Sequence, residues 1–85
     1  MENIKNLKKK IIFRAKHRGT KEMDLLLGKF VLKYIDIFND KELMELKILL
    51  NKEDEIIYNW YFDRKNKVSF PVNRVTKKFK NFKVY

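Results

Sequence analysis

Apolar residues recur at spacings of three and four along nearly the whole of this 85-residue chain, and that period restricts its fold more than any other feature. Such spacing places the apolar side chains on one face of an α-helix, which completes a turn every 3.6 residues. The chain contains no internal repeat, no low-complexity tract and no Gly/Ser-rich linker. We therefore expect an all-α fold in which residues 1–85 form a small single-domain bundle of about five short helices.

The first two predicted helices lie on either side of a glycine. The first should run from about Ile4 to His17, where Gly19 stops it, and the second from about Lys21 to Phe38, with Thr20 as its N-cap. Their apolar faces consist of Ile4, Leu7, Ile11 and Ala15 in the first helix and Met23, Leu27, Phe30, Val31, Tyr34 and Phe38 in the second.

Local signals also predict where the later helices begin. Asn39, followed three residues later by Glu42, resembles a capping box and opens a third helix. The acids Glu53 to Glu55 suit the first turn of a fourth helix, where the helix dipole favours negative charge. We expect Trp60 of this helix to lie in or near the core, and Tyr58 or Phe62 to lie at the surface, where exposed aromatic rings indicate partner contacts.

The C-terminal part of the chain allows two interpretations. We read Asp63 to Phe70 as a loop and Pro71 as the first turn of a last helix, with Val72, Val75, Phe79 and Phe82 on its apolar side. Alternatively, Val68 to Val72 forms a short extended segment, because its residues favour strands and Pro71 restricts the residue before it. From about residue 76 we expect a basic tail that need not be ordered.

The residue inventory argues against an enzyme. The chain has no Cys, one His and one Ser, so a Ser-His-Asp triad would have to use Ser69, which has no glycines of a nucleophile elbow around it. The single His and the scattered acids show no metal-ligand spacing, and no glycine-rich phosphate-binding motif is present. We predict no catalytic residue, no metal site and no bound cofactor.

The sequence also indicates where the protein resides. The longest mostly apolar stretch without a charge runs from Ile56 to Phe62, whereas a membrane span needs about 20 apolar residues. The N-terminal apolar run is too short for a secretory signal, and without Cys nothing requires an oxidising compartment. We expect a cytoplasmic protein without membrane insertion.

The net charge of +10 is unevenly distributed and leaves two further interpretations open. Residues 1–16 hold six positive charges and one negative, residues 17–63 hold seven and ten, and residues 64–85 hold eight and none. One interpretation is a small nucleic-acid-binding helical module, and another is binding of the basic ends to an anionic membrane surface. The excess of Lys over Arg, 17 against four, and the acids at two helix starts argue against specific nucleic-acid recognition.

The junction Arg18-Gly19-Thr20-Lys21-Glu22-Met23-Asp24 packs charges of both signs around a glycine. A purely structural interpretation makes Gly19 the left-handed residue that ends the first helix, Thr20 a cap, and Glu22 and Asp24 acids of a first helical turn. The alternative is a binding site, because connections between helices often carry function.

The pattern Arg18-Gly19-x-x-Glu22-x-Asp24, followed by Leu27 and Phe30, resembles the signature of the succinate dehydrogenase assembly factors, the SdhE family. Leu49-Leu50, the acids Glu53 to Glu55 and Asn59-Trp60 also match that family in order and separation. The resemblance covers roughly Arg14 to Phe62. His17 stands where a second Arg often precedes the glycine, and the C-terminal part is richer in Lys than in the family.

The resemblance implies a function and a set of site residues. Members of this family are small helical proteins that bind the flavoprotein subunit of succinate dehydrogenase and promote its covalent flavinylation, the attachment of FAD to a His of that client. The implied protein is an assembly factor, not a flavin enzyme; it holds no permanent cofactor, needs no nucleic acid and acts as a monomer. Whether fumarate reductase is also a client stays open. The partner-binding residues expected from the junction and its flank are Arg14, His17, Arg18, Gly19, Glu22 and Asp24.

Overall fold

The computed structural model describes residues 3–62 and 70–83 of the chain. Five helices follow one another in this part: α1 is Ile4–Lys16, α2 is Lys21–Tyr34, α3 is Asp40–Leu50, α4 is Asp54–Phe62 and α5 is Arg74–Asn81. The described ranges contain no strand. The predicted all-α fold of about five short helices is confirmed.

Polar side chains cap four of these helices at their N-termini. The side chains of Asn3, Thr20, Asn39 and Asn73 each accept a hydrogen bond from a backbone N–H three residues further on. Asn39 and Glu42 form the reciprocal capping box that their spacing predicts. These caps satisfy N–H groups that have no partner within the helix, so the short helices begin at defined residues.

The helices bury one contiguous apolar core. α1 packs against α2 and α3, and α3 also packs against α5. Phe30 of α2 lies at the centre, with its ring 5.1 Å from that of Phe79 on α5 and 5.3 Å from that of Phe82. The first and last helices are therefore joined through α2 and α3, and the junction between α1 and α2 lies on a fixed framework.

One predicted helix end needs correction. α1 ends at Lys16 with His17 as its C-cap, as predicted, whereas α2 ends at Tyr34 rather than at Phe38. Residues 35–37 form a turn in which the Phe38 N–H donates to the Tyr34 carbonyl, and the two rings stack at 5.4 Å. The turn brings the Phe38 side chain back to the core, where it is buried. Phe38 therefore fits the apolar pattern of α2 although the helix ends before it.

The start of the last helix was also predicted wrongly. α5 begins at Arg74, because Asn73 and Thr76 form a second capping box, and Pro71 lies before the helix. Val72 is therefore 79% exposed instead of lying on the apolar face. The helix continues to Asn81, and the expectation of a basic tail from about residue 76 stays a prediction.

Aromatic packing holds this last helix in place. Phe70 is buried and stacks on Trp60 with ring centroids 4.2 Å apart, while Phe79 is fully buried. Tyr58 and Phe62 are both exposed, as predicted, and Trp60 packs partly buried against the core.

Of the predicted loop, residues 63–69 lie outside the described residues, as do residues 68 and 69 of the alternative extended segment. No helix in the described ranges is both long enough and apolar enough to span a bilayer.

Candidate functional site

The candidate site is the junction between α1 and α2 together with the surfaces beside it. Gly19 has a φ of +111°, and it is the one residue with a positive φ in residues 3–62 and 70–83. A Cβ added to it would meet nothing within 4 Å. The positive φ therefore explains why this residue is a glycine, whereas neighbouring atoms would leave room for a side chain. This agrees with the structural interpretation of Gly19.

Asp24 and Thr20 hold the junction from the side of α2. The carboxylate of Asp24 accepts a hydrogen bond from the backbone N–H of Arg18, and Thr20 caps α2 by accepting from the Met23 N–H. Asp24 is half-buried. This acid therefore binds the backbone of the junction in addition to complementing the helix dipole.

The side chain of Arg18 binds the segment where α3 ends and α4 begins. Its Nε donates to Oδ1 of Asp54 at 2.7 Å, and its two terminal nitrogens donate to the carbonyls of Leu50 and Lys52 at 2.6 and 2.7 Å. Only 9% of the side chain is exposed. A planar guanidinium suits this arrangement because its donors diverge in one plane. Arg18 thus satisfies carbonyls at the C-terminal end of α3 and connects α3 and α4 to the junction.

The remaining predicted site residues point outward. Gly19, Glu22, His17 and Arg14 are all exposed. The Arg14 guanidinium donates to the side-chain oxygen of Asn51 in the α3–α4 turn. The six predicted site residues therefore fall into two groups. Arg18 and Asp24 are partly buried and bind other groups of the chain, whereas the other four are exposed at the surface.

Sequence reasoning missed Phe13 as part of this surface. Its ring is 63% exposed and stacks on the imidazole of His17, with centroids 4.1 Å apart. The Nδ1 of His17 donates to the Phe13 carbonyl at 2.8 Å. The signal was available, because residues four apart lie on the same helical face and Phe13 is a large apolar residue off the predicted apolar stripe.

A shallow depression of about 390 Å³ lies beside the junction. Arg14, His17 and Arg18 line it from one side, and residues 50–54 line it from the other. No group of His and acidic side chains in the described ranges is arranged to hold a metal ion. The junction and this depression together offer hydrogen-bond donors, the exposed carboxylate of Glu22, and Gly19, whose lack of a side chain lets another backbone approach.

These features define a class: a small five-helix protein whose first interhelical junction is fixed from within by an arginine and exposed around a glycine. A family profile described as "Flavinator of succinate dehydrogenase" matches residues 9–83. The chain belongs to this family, and the resemblance seen in the sequence is confirmed.

Individual relatives agree with the family match. The chain is 37% identical over 60 residues to succinate dehydrogenase assembly factor 2, mitochondrial, of Dictyostelium discoideum, covering 71% of the chain and 43% of that protein. It is 35% identical over 63 residues to FAD assembly factor SdhE of Acetobacter pasteurianus, covering 74% and 58%. The assembly factor 2 of Saccharomyces cerevisiae is 39% identical over 59 residues, covering 69% and 36%. The match spans between 36% and 58% of the length of these relatives.

Proposed function

We propose that this protein binds the flavoprotein subunit of succinate dehydrogenase and promotes the covalent attachment of FAD to a His of that client. The observation that carries the proposal is the match of the flavinator family across residues 9–83, which contains the whole junction. The exposure of Gly19 and Glu22 on an internally fixed framework supports it further. The relatives named as assembly factors support the same role.

The six junction residues take different parts in this proposal. Gly19 and Glu22 contact the client: Gly19 because a backbone can approach a residue without a side chain, and Glu22 because an exposed carboxylate accepts hydrogen bonds. His17 and Arg14 extend the contact along α1. Arg18 and Asp24 are positioning residues, since their polar groups bind within the chain and hold Gly19 in its conformation.

The protein acts on the client's conformation. Covalent flavinylation needs the client His and the flavin to be held in reacting geometry, and a partner that binds this conformer preferentially raises its population. The flavin bond forms within the client, so this chain is an assembly factor rather than an enzyme and holds no permanent cofactor. It acts as a monomer in the cytoplasm.

Co-expression tests the proposal. A succinate dehydrogenase flavoprotein subunit is produced with the wild-type protein, with Gly19→Arg, with Val72→Arg or alone, and covalent flavin fluorescence is read on a denaturing gel. Val72→Arg is the matched control, because it adds the same side chain at an exposed position outside the helices. We expect a flavin band with wild type and with Val72→Arg only. Equal bands in all four cultures would contradict the proposal for this client.

One observation favours nucleic-acid binding as a second candidate function. Four lysines from α2, α5 and the residues after it, Lys33, Lys77, Lys78 and Lys83, line one depression together with Tyr34 and Phe82. Ammonium groups beside aromatic rings suit phosphates and stacked bases. Fluorescence anisotropy with labelled single-stranded and duplex DNA at several salt concentrations tests this function. A steep dependence of affinity on salt that Lys77→Glu/Lys78→Glu removes would support it, and undetectable binding at low salt would exclude it.

A further inference from the structure

A groove between α1 and α3 is a second surface of the molecule, and of the six junction residues Arg14 alone lines it. It encloses about 480 Å³. Leu7, Ile11 and Leu50 form its base, of which Ile11 and Leu50 are buried and Leu7 is partly buried. Phe13, with 63% of its surface exposed, lines the groove as well. A groove of this volume with an apolar base can accept apolar side chains from another molecule.

The polar residues of this groove all carry the same charge. They are Lys9, Lys10, Arg14 and Lys47, and the described residues that line the groove include no Asp or Glu. Lys9 and Arg14 come from α1 and Lys47 comes from α3, so cations stand on both sides of the apolar base. A ligand that fits must be apolar at its centre and negatively charged at its edges.

The groove is continuous with the candidate site. Arg14 and Leu50 line both the groove and the depression that contains His17 and Arg18. Phe13, in the groove, stacks on His17, in the depression. A partner that occupies the depression beside the junction can therefore extend along α1 into the groove.

From these observations we infer that the α1–α3 groove binds an acidic amphipathic segment of the flavoprotein client, with an apolar side chain on Ile11 and Leu50 and carboxylates against Lys9 and Lys47. The inference rests on the proposed function and adds to it the chemistry of the segment that the client supplies. The net charge of +10 opposes association of two copies of this chain, so we assign the groove to the client rather than to a second copy.

Charge reversal on both sides of the groove tests the inference. Lys9→Glu/Lys47→Glu is compared with Lys77→Glu/Lys78→Glu, which makes the same change in net charge on α5, a helix that contributes nothing to the groove. Binding of each variant to the purified flavoprotein subunit is measured by calorimetry at several salt concentrations. We expect the groove variant to bind at least about tenfold more weakly and with less salt dependence, and the α5 variant to bind within about twofold of wild type.

Zero-length cross-linking identifies the occupant. A carbodiimide joins lysine ammonium groups to carboxylates in contact, and mass spectrometry of the complex then locates the joined residues. We expect Lys9 or Lys47 to be joined to Asp or Glu of a client segment that also contains large apolar residues. Cross-links from lysines of α5 alone would contradict the inference.

The outcomes separate the two proposals. A wild-type protein that binds and flavinylates its client, with no loss of affinity in the groove variant, overturns the groove and leaves the proposed function intact. Equal weakening by both variants also overturns the groove, since charge alone would then explain binding. A wild-type protein without affinity for the client overturns both. Loss of binding to vesicles of phosphatidylcholine and phosphatidylglycerol by the groove variant, with client affinity unchanged, would assign the groove to a lipid and contradict the inference.

Discussion

Arg18 donates a hydrogen bond from Nε to Oδ1 of Asp54 at 2.7 Å, joining the first interhelical junction to the start of α4, 36 residues further along the chain. The same guanidinium binds the carbonyls of Leu50 and Lys52. This arrangement explains how a short exposed junction keeps one conformation. It also assigns the arginine of the family signature a role inside the molecule, while Gly19 and Glu22 are left accessible to a partner.

Removal of the Arg18 guanidinium should destabilise the protein. Arg18→Ala leaves a carboxylate and two carbonyls without their donor, and we expect the free energy of unfolding to fall by about 2 to 4 kcal/mol. Arg18→Lys should recover only part of this loss, because one ammonium group cannot reproduce three divergent donors. Urea unfolding of both variants and of Asp54→Ala, combined in a double-mutant cycle, measures the coupling. Arg14→Ala, at an exposed arginine, is the control, and equal destabilisation by Arg14→Ala and Arg18→Ala would contradict this role.

Replacement of the two glycines by alanine should change the free energy of unfolding differently. Gly19→Ala should lower the free energy of unfolding by about 1 to 3 kcal/mol, because a φ of +111° strains any residue with a Cβ. Gly28 lies within α2, where an added Cβ would meet the Lys16 side chain at an ordinary 3.4 Å. Gly28→Ala should therefore be neutral or stabilising by up to about 1 kcal/mol. Thermal unfolding of the two variants checks the prediction, which fails if Gly19→Ala is as stable as wild type.

Glu22 should matter for function more than for stability. Glu22→Ala removes an exposed first-turn acid, so the free energy of unfolding should change by less than about 1 kcal/mol. If the carboxylate accepts a charge-assisted hydrogen bond from the client, its loss should weaken client binding by about tenfold or more. Calorimetry with the flavoprotein subunit measures the affinity, and Lys21→Ala, at the neighbouring exposed residue, provides the control. Unchanged affinity in Glu22→Ala would remove this residue from the interface.

The last helix should be required for folding. Phe79 is fully buried against Phe30, Trp60 and Tyr61, so Phe79→Ala should lower the free energy of unfolding by about 3 to 5 kcal/mol. Lys77→Ala, at an exposed position of the same helix, should change it by less than about 0.5 kcal/mol. Circular dichroism during urea unfolding compares the two. Similar midpoints would show that residues after 76 do form a dispensable tail.

The sequence predicted most of the fold because the signals for it are local. Apolar spacing located the helices, and the Asn39–Glu42 capping box fixed the start of α3. The start of α5 was misplaced because Thr76 stands where the usual capping box has Glu or Gln, and Pro71 offered a more familiar signal. The end of α2 was misplaced because burial of Phe38 is compatible with either a helix or a tight turn.

The candidate site was only partly predictable, for a related reason. Gly19 lies between two helices, which explains both its exposure and its positive φ. Glu22 is exposed because it lies in the first turn of α2. The partners of the Arg18 side chain lie 32 to 36 residues away, and two of them are backbone carbonyls, which any residue type provides. The α1–α3 groove likewise depends on how two helices pack, which apolar spacing does not specify.

Reconstitution from purified components measures whether this protein itself promotes covalent flavinylation of the client. A succinate dehydrogenase flavoprotein subunit lacking covalent flavin is incubated with FAD, with and without an equimolar amount of this protein, and covalent flavin per subunit is followed over time after denaturation. Covalent flavin should form at least about tenfold faster with the protein present, a change of about 1.4 kcal/mol in the effective barrier. The same time course with and without the protein would contradict it.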